Sequence, residues 1–224
     1  MDNHSHSAKI KINENGCYVV TGIKKMTEME RVVNEQGSAV DWTYGKEFEV
    51  KKKMSLCRCG HSAKKPYCDG THKDIGFTGS LNADRSPRET REKVYEGAGI
   101  TMTDDESLCA GYEFCDRFGS VWRMIDISEN PRIKERIERQ VSLCPTGRLE
   151  YILAGSKGPE EIDYEPTIGA MKDGPLLALG NIPIEAPDGF VYEVRNRQAL
   201  CRCGGSGNMP YCDGTHWNIG FKSA

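Results

Sequence analysis

Eight side chains in this sequence stand in a pattern that can hold metal, and the pattern occurs twice. Cys57, Cys59, Cys68 and His72 are spaced Cys-x-Cys-x8-Cys-x3-His, and Cys201, Cys203, Cys212 and His216 repeat that spacing 144 residues further on. Residues 57–77 and 201–221 are identical at fifteen of twenty-one positions without a gap. Cys-x-Cys puts two thiolates on one tight loop. A thiolate at 68 and an imidazole at 72 lie one helical turn apart, so both can face one point if a helix starts between them. Asp69 has the chemistry of an N-cap for that helix, and Ser62 and Ser206 are placed to offer a hydroxyl to a sulfur. Three thiolates and one imidazole admit two readings. One is tetrahedral structural zinc. The other is a [2Fe-2S] cluster, with two thiolates on one iron and a thiolate plus an imidazole on the other. Zinc sites usually use Cys-x2-4-Cys pairs, so the spacing leans to iron–sulfur.

Four further cysteines complete a total of ten. Cys109 and Cys115 form Cys-x5-Cys, and Cys144 precedes Pro145. A Cys-Pro distant from an earlier cysteine pair is a ferredoxin habit. Position 112, where a regular run would carry another ligand, is Tyr112. Three thiolates suit a [3Fe-4S] cluster, or a [4Fe-4S] cluster with one iron held by water or another group. The alternative is that these cysteines are small buried hydrophobes. Cys17 stands alone on an expected strand and reads as core. His4 and His6 read as part of a polar tail. Lys51, Lys52 and Lys53 read as a solvated strand face or as a docking surface for an acidic redox partner. Trp217, where the first copy has Lys73, either covers the second site or plugs the cap.

The elements that must position these residues are short. Lys9 to Asn13 alternates apolar and polar residues as a half-buried strand does. Cys17 to Val20 follows an Asn15-Gly16 turn, and residues 46–52 alternate around Phe48 and Val50. Leu176 to Leu179 and Phe190 to Val194 read as strands with Pro187-Asp188-Gly189 as the turn between them. One helix is well marked, with Asn130 as cap, Pro131 in its first turn, and Ile133, Ile137 and Val141 recurring every fourth residue. The chain divides into a first module at 8–79, a linker at 80–91, a middle unit at 92–155 and a second module at 156–224. A formal net charge of -3 with no basic block argues against a nucleic-acid partner. No apolar run of about 18 residues is present, so no membrane span is expected. Met1 to Ala8 holds no apolar stretch, which gives a cytoplasmic, reducing location as the expectation.

The string Cys-x-Cys-x2-Ser-x3-Pro-x-Cys-Asp-Gly-Thr-His, present twice, resembles the CDGSH iron–sulfur family. The resemblance implies a [2Fe-2S] cluster on each set of three cysteines and one histidine, beside a small β-rich cap, with roles in electron transfer, cluster transfer or redox sensing. Val121-Trp122-Arg123-Met124 and Cys144-Pro145-Thr146-Gly147-Arg148-Leu149 resemble the divergent single-cluster ferredoxin-like domain that accompanies CDGSH modules. The expected fold is α+β, with two β-rich CDGSH modules flanking a ferredoxin-like unit. No catalytic set of its own is visible, so the chain is expected not to be an enzyme but to serve a redox or cluster-acceptor protein. Single-module relatives pair as homodimers, so the two copies are expected to pair within one monomer about a pseudo-twofold axis. The competing reading is a structural zinc protein that presents an interaction surface.

Overall fold

The computed structural model describes residues 8–223, and His4 and His6 lie outside them. The fold is α+β, with 30% strand and 18% helix. The first repeat supplies β1 (Lys9–Ile12), β2 (Tyr18–Thr21), β3 (Lys25–Val33), β4 (Ala39–Glu47) and β5 (Lys53–Leu56). The middle unit supplies β6 (Lys93–Gly97), β7 (Ile100–Asp104) and β8 (Leu149–Leu153). The second repeat supplies β9 (Thr167–Met171), β10 (Leu176–Leu179), β11 (Ile184–Glu185) and β12 (Arg197–Leu200). The helices are α1 (Thr71–Asp74), α2 (Val121–Met124), α3 (Pro131–Ser142) and α4 (Thr215–Asn218).

The two repeats exchange strands. One sheet has the order β11-β1-β2-β5 and the other β12-β10-β9-β3-β4. Within each repeat three strands form an antiparallel meander, with Tyr18 opposite Leu56 in the first and Leu176 opposite Leu200 in the second. The fourth strand comes from the other repeat and pairs in parallel: Ile184 with Ile10, and Met26 with Ile168. The inward faces then merge. Ile10, Ile12, Tyr18, Val20, Met54 and Leu56 share one core with Ile168, Leu176, Ala178, Ile184, Leu200 and Tyr211. A second contact brings the metal loops together, where Cys59 and Cys203 form an antiparallel bridge. The next residue on each side is a glycine, Gly60 with φ +84° and Gly204 with φ +81°. A Cβ on either would overlap the facing cysteine carbonyl.

The middle unit has its own core, in which Ile137 and Val141 of α3 pack on Ile100, Met102 and Leu149 of the three-stranded sheet. Asn130 caps α3 by accepting from the Arg132 N–H, with Pro131 in its first turn, as the sequence predicts. The segment 80–91 is a strap, not a loose tether. The N–H groups of Asn82 and Ala83 donate to the Met209 carbonyl at 2.8 and 2.9 Å, and buried Arg88 donates to the carbonyls of Gly147 and Arg148 at 2.6 and 2.8 Å.

Two expected strands differ. Residues 48–52 connect β4 to β5, because the Phe48 N–H turns to the Met26 carbonyl. Of Phe190 to Val194, only Val191 makes a bridge, to Glu185. The long hairpin of β3 and β4 escapes the sequence reading because it is mostly polar and exposed beyond its first residues. Asn34 folds its turn by accepting from the N–H groups of Gln36 and Ser38.

Gly37 provides an internal control for the glycine contact, since its φ is +78° with nothing within 4 Å of a Cβ. Gly37→Ala should cost about 1–2 kcal/mol, the left-handed backbone term alone. Gly60→Ala should cost roughly 3 kcal/mol or more, because strain and overlap add. Denaturant unfolding of the two variants measures the difference.

Candidate metal centres

Each repeated set of donors is assembled the same way. Cys57 follows the end of β5, and its N–H donates to the Pro66 carbonyl at 2.8 Å, while the Cys68 N–H donates to the Ser55 carbonyl at 2.8 Å. Cys201 and Cys212 make the matching bonds to Pro210 and Ala199, both at 2.8 Å. The strand end therefore holds the third cysteine beside the first two. Ser62 and Ser206 do not point at sulfur. Their hydroxyls donate to the carbonyls of Tyr67 and Tyr211 at 2.7 Å and accept from Lys64 and Asn208 N–H at 3.0 Å, which shapes the loop. Asp69 is not the helix cap either. Gly70 holds that place at φ 99°, and Asp69 ties the loop by accepting from the N–H groups of Thr71 and Ala63 at 3.1 and 2.7 Å. Bonds from the Thr71 hydroxyl and from these two N–H groups hold its carboxyl well below the usual carboxylate range.

The donors fall into two pairs per set. Cys57 and Cys59 have their Sγ atoms 3.8 Å apart, and Cys68 Sγ lies 3.3 Å from His72 Nδ1. In the second set the separations are 3.7 Å for Cys201 and Cys203 and 3.3 Å for Cys212 and His216. A tetrahedral metal with arms of about 2.3 Å sets donor–donor edges of about 3.8 Å, so each pair suits one metal atom. Among the described residues no group of three or more His, Cys, Asp or Glu surrounds a single-ion position. Two pairs per set fit a two-iron group, with Nδ1 as the ligating nitrogen of each histidine.

Sequence reasoning missed the residue inside each Cys-x-Cys. Arg58 and Arg202 are buried at 1% and 2% exposure. Arg58 donates to the carbonyls of Gly16, Gly79 and Asn13 at 2.6, 2.9 and 3.0 Å. Arg202 donates to the carbonyls of Gly174, at 2.9 Å, and Met171. Neither pairs with a carboxylate among the described ion pairs. Burial pulls Arg202 down to about 10, which leaves it charged at neutral pH. An oxidised two-iron cluster on three thiolates would carry one negative charge, and the Arg202 guanidinium, within electrostatic reach of Cys57, would offset it. The signal was available, since arginine occupies that position in both copies.

The environments of the two sets diverge. Cys68 and His72 are half-buried, whereas Cys212 and His216 are buried. The middle unit makes the difference. Tyr112 sets its hydroxyl 3.5 Å from His216 Nε2 with the two rings stacked at 25°. Trp217 packs on His216 at 4.5 Å between ring centres, and its indole N–H donates to the Ala110 carbonyl. Burial lowers His216 to about 4 and raises the thiols, Cys212 to about 12 and Cys68 to about 11. Cys17 is buried, as the sequence predicts, and lies close enough to Cys68 to add to that rise.

In the middle unit the structure brings Cys109, Cys115 and Cys144 together around one pocket that Tyr112 and Arg148 also line. Arg148 is fixed there by Asp104 at 2.6 and 2.9 Å. Burial, with the neighbouring Cys144, pushes Cys115 up to about 12. Three converging thiols beside a fixed cation fit an anionic cluster with one position left to a ligand that is not cysteine. Tyr112 does not supply it, because its hydroxyl is turned to His216.

Comparison with known families agrees with this layout. Residues 15–73 and 173–217 match the iron-binding zinc finger of CDGSH type, and residues 95–154 match the divergent 4Fe-4S mono-cluster family. No curated protein matches the chain. The chain carries two CDGSH-type segments with a divergent 4Fe-4S mono-cluster segment between them, and is an iron–sulfur protein.

The depressed His216 gives a pH prediction for the metal-free protein. The fold favours neutral imidazole, so its contribution is fully present above about pH 6.5 and is lost as pH falls toward about 4. The loss should reach about 3 kcal/mol. Denaturant unfolding across that window should show a slope that His216→Gln flattens.

Proposed function

We propose that this chain carries two [2Fe-2S] clusters, one on Cys57, Cys59, Cys68 and His72 and one on Cys201, Cys203, Cys212 and His216. A third cluster, [3Fe-4S] or [4Fe-4S], is held by Cys109, Cys115 and Cys144. When bound, these groups supply one-electron chemistry. The protein acts as an electron carrier for a protein partner in the cytoplasm, without turning over a small molecule itself.

The observation that carries this reading is contiguity. Cys59 and Cys203 face each other across a backbone bridge, and the loop beginning at Cys109 lies against the second set through Ala110 and Gly214, and Tyr112 and His216. Three donor sets in series, the second buried at Cys201, Cys203, Cys212 and His216 and the other two partly open at Cys68, His72 and Cys109, suit passage of single electrons. A zinc protein needs no such series.

Iron and acid-labile sulfide analysis with EPR on anaerobically purified protein tests it. The repeats should account for four irons, and the centre for three or four more. Cys109→Ala, Cys115→Ala and Cys144→Ala together should remove only the central share and its EPR signal. Colourless protein with stoichiometric zinc would overturn the reading. Replacing both histidines by cysteine should lower the reduction potential of the two outer sites, since imidazole in place of thiolate raises it. Potentiometry reads that change.

A further inference from the structure

The two repeats carry equivalent grooves, and among the described residues it is the second that is walled in by the strap and the middle unit. Beside the first set, Lys46, Phe48, Glu49, Lys51, Lys53, Tyr67 and Cys68 line an open groove. Phe48, Glu49, Lys51 and Tyr67 correspond by the repeat to Tyr192, Glu193, Arg195 and Tyr211. Those four line the equivalent groove of the second repeat. The aromatic floor is conserved in geometry, edge to face at 82° for Phe48 and Tyr67 and at 74° for Tyr192 and Tyr211. In the second repeat the chain itself fills the groove. The strap residues Ala83 to Ser86 and the middle-unit residues Ser107 and Leu108 lie in it. Arg85 covers Phe190 at 4.6 Å and pairs with Asp188 at 2.7 Å, and Asn208 donates to the Ser107 carbonyl at 2.7 Å. With that cover Tyr192 and Tyr211 are at 2% and 4% exposure. In the first repeat Phe48, Tyr67 and Cys68 stay half-buried.

Both grooves carry cations, but Arg85 and Arg91 of the second are paired with Asp188 and Asp105, whereas the lysines of the first lie exposed. Lys51, Lys52, Lys53, Lys64 and Lys73 are exposed on or next to the first metal loop. The second repeat has Asn208 and Trp217 in place of Lys64 and Lys73, and its Arg197 is buried against Glu161. Glu47 and Glu49 also line the first groove, but they are paired with Lys25 at 2.8 Å and Lys51 at 3.3 Å. Asp69 is the other carboxylate of the loop, bonded into its own turn.

We propose that the groove of the first repeat is a docking site for an extended acidic segment of a partner protein, seated as residues 83–86 are seated in the second repeat. The occupant would lie against Phe48 and Tyr67, with its carboxylates on Lys51 and Lys53, and would reach Cys68. That it exchanges electrons there rests on the function proposed above. The docking itself does not.

The test uses the full-length protein as purified and a fluorescein-labelled hexaglutamate peptide. Anisotropy at low salt should show binding, and hydrogen exchange should show protection confined to residues 46–55 and 67–68. Lys51→Glu with Lys53→Glu should weaken binding about tenfold or more, since charge is reversed at two contacts. Lys157→Glu, the same change at an exposed lysine elsewhere, should leave it unchanged. Equal binding of hexalysine, equal binding by the double variant, protection outside the groove, or closure of the groove by a second copy of the chain in light scattering would each overturn the proposal. Loss of binding in red-brown protein rejects the groove alone. Colourless protein that still binds the peptide rejects the electron-carrier reading alone.

Discussion

Neither repeat can bury its own strands, and the rest of the structure follows from that constraint. A unit of this size with strands of four residues exposes too much of its apolar face to be stable alone. Exchange of β3 and β11 lets each sheet gain a parallel strand, and joins two half-cores into one. The same exchange sets the metal loops against each other, with Gly60 and Gly204 at the closest approach because no side chain fits there. Stability and the spacing of the outer metal centres are thus fixed by one interaction.

Charge is the second constraint. Ligand sets built mostly of buried thiols favour protons over negative charge, as the rise of Cys68, Cys115 and Cys212 shows. Metal must displace those protons, and the resulting anions need a cation nearby. Arg58, Arg202 and Arg148 are each buried or half-buried, Arg202 within reach of Cys57 and Arg148 within reach of Cys109, and each is held by carbonyls or by a single aspartate. Their hydrogen bonds keep them in place without consuming all of their charge.

The middle unit and its strap turn two near-identical motifs into different sites. Tyr112, Ala110 and residues 83–88 all settle on the second repeat, where they bury His216, Tyr192 and Tyr211. Among the described residues the first repeat receives no such cover. Symmetry in the sequence therefore becomes a polarity in the protein, one inner site and one outer site.

The repeated cysteine and histidine pattern, the duplication and the ferredoxin-like insertion were legible in the sequence because they are local. Metal chemistry restricts residue types and spacing over a few positions, and a turn such as Asn15-Gly16 or a helix start such as Asn130-Pro131 is encoded within its own neighbourhood. The α+β class followed from the same short patterns. The polar hairpin of β3 and β4 was not legible, because its strands are specified by pairing with β9 and by the parallel edge, contacts made more than a hundred residues away. Ser62 and Asp69 were assigned wrong partners for a related reason: a hydroxyl or a carboxylate bonds whichever donor the folded loop presents. The difference between His72 and His216 lies wholly in tertiary structure. Both stand in Cys-Asp-Gly-Thr-His, and the packing of Ala110 and Tyr112 against Cys212 and His216 decides which imidazole is buried, since burial is a property of what packs on a residue and not of its neighbours in the chain.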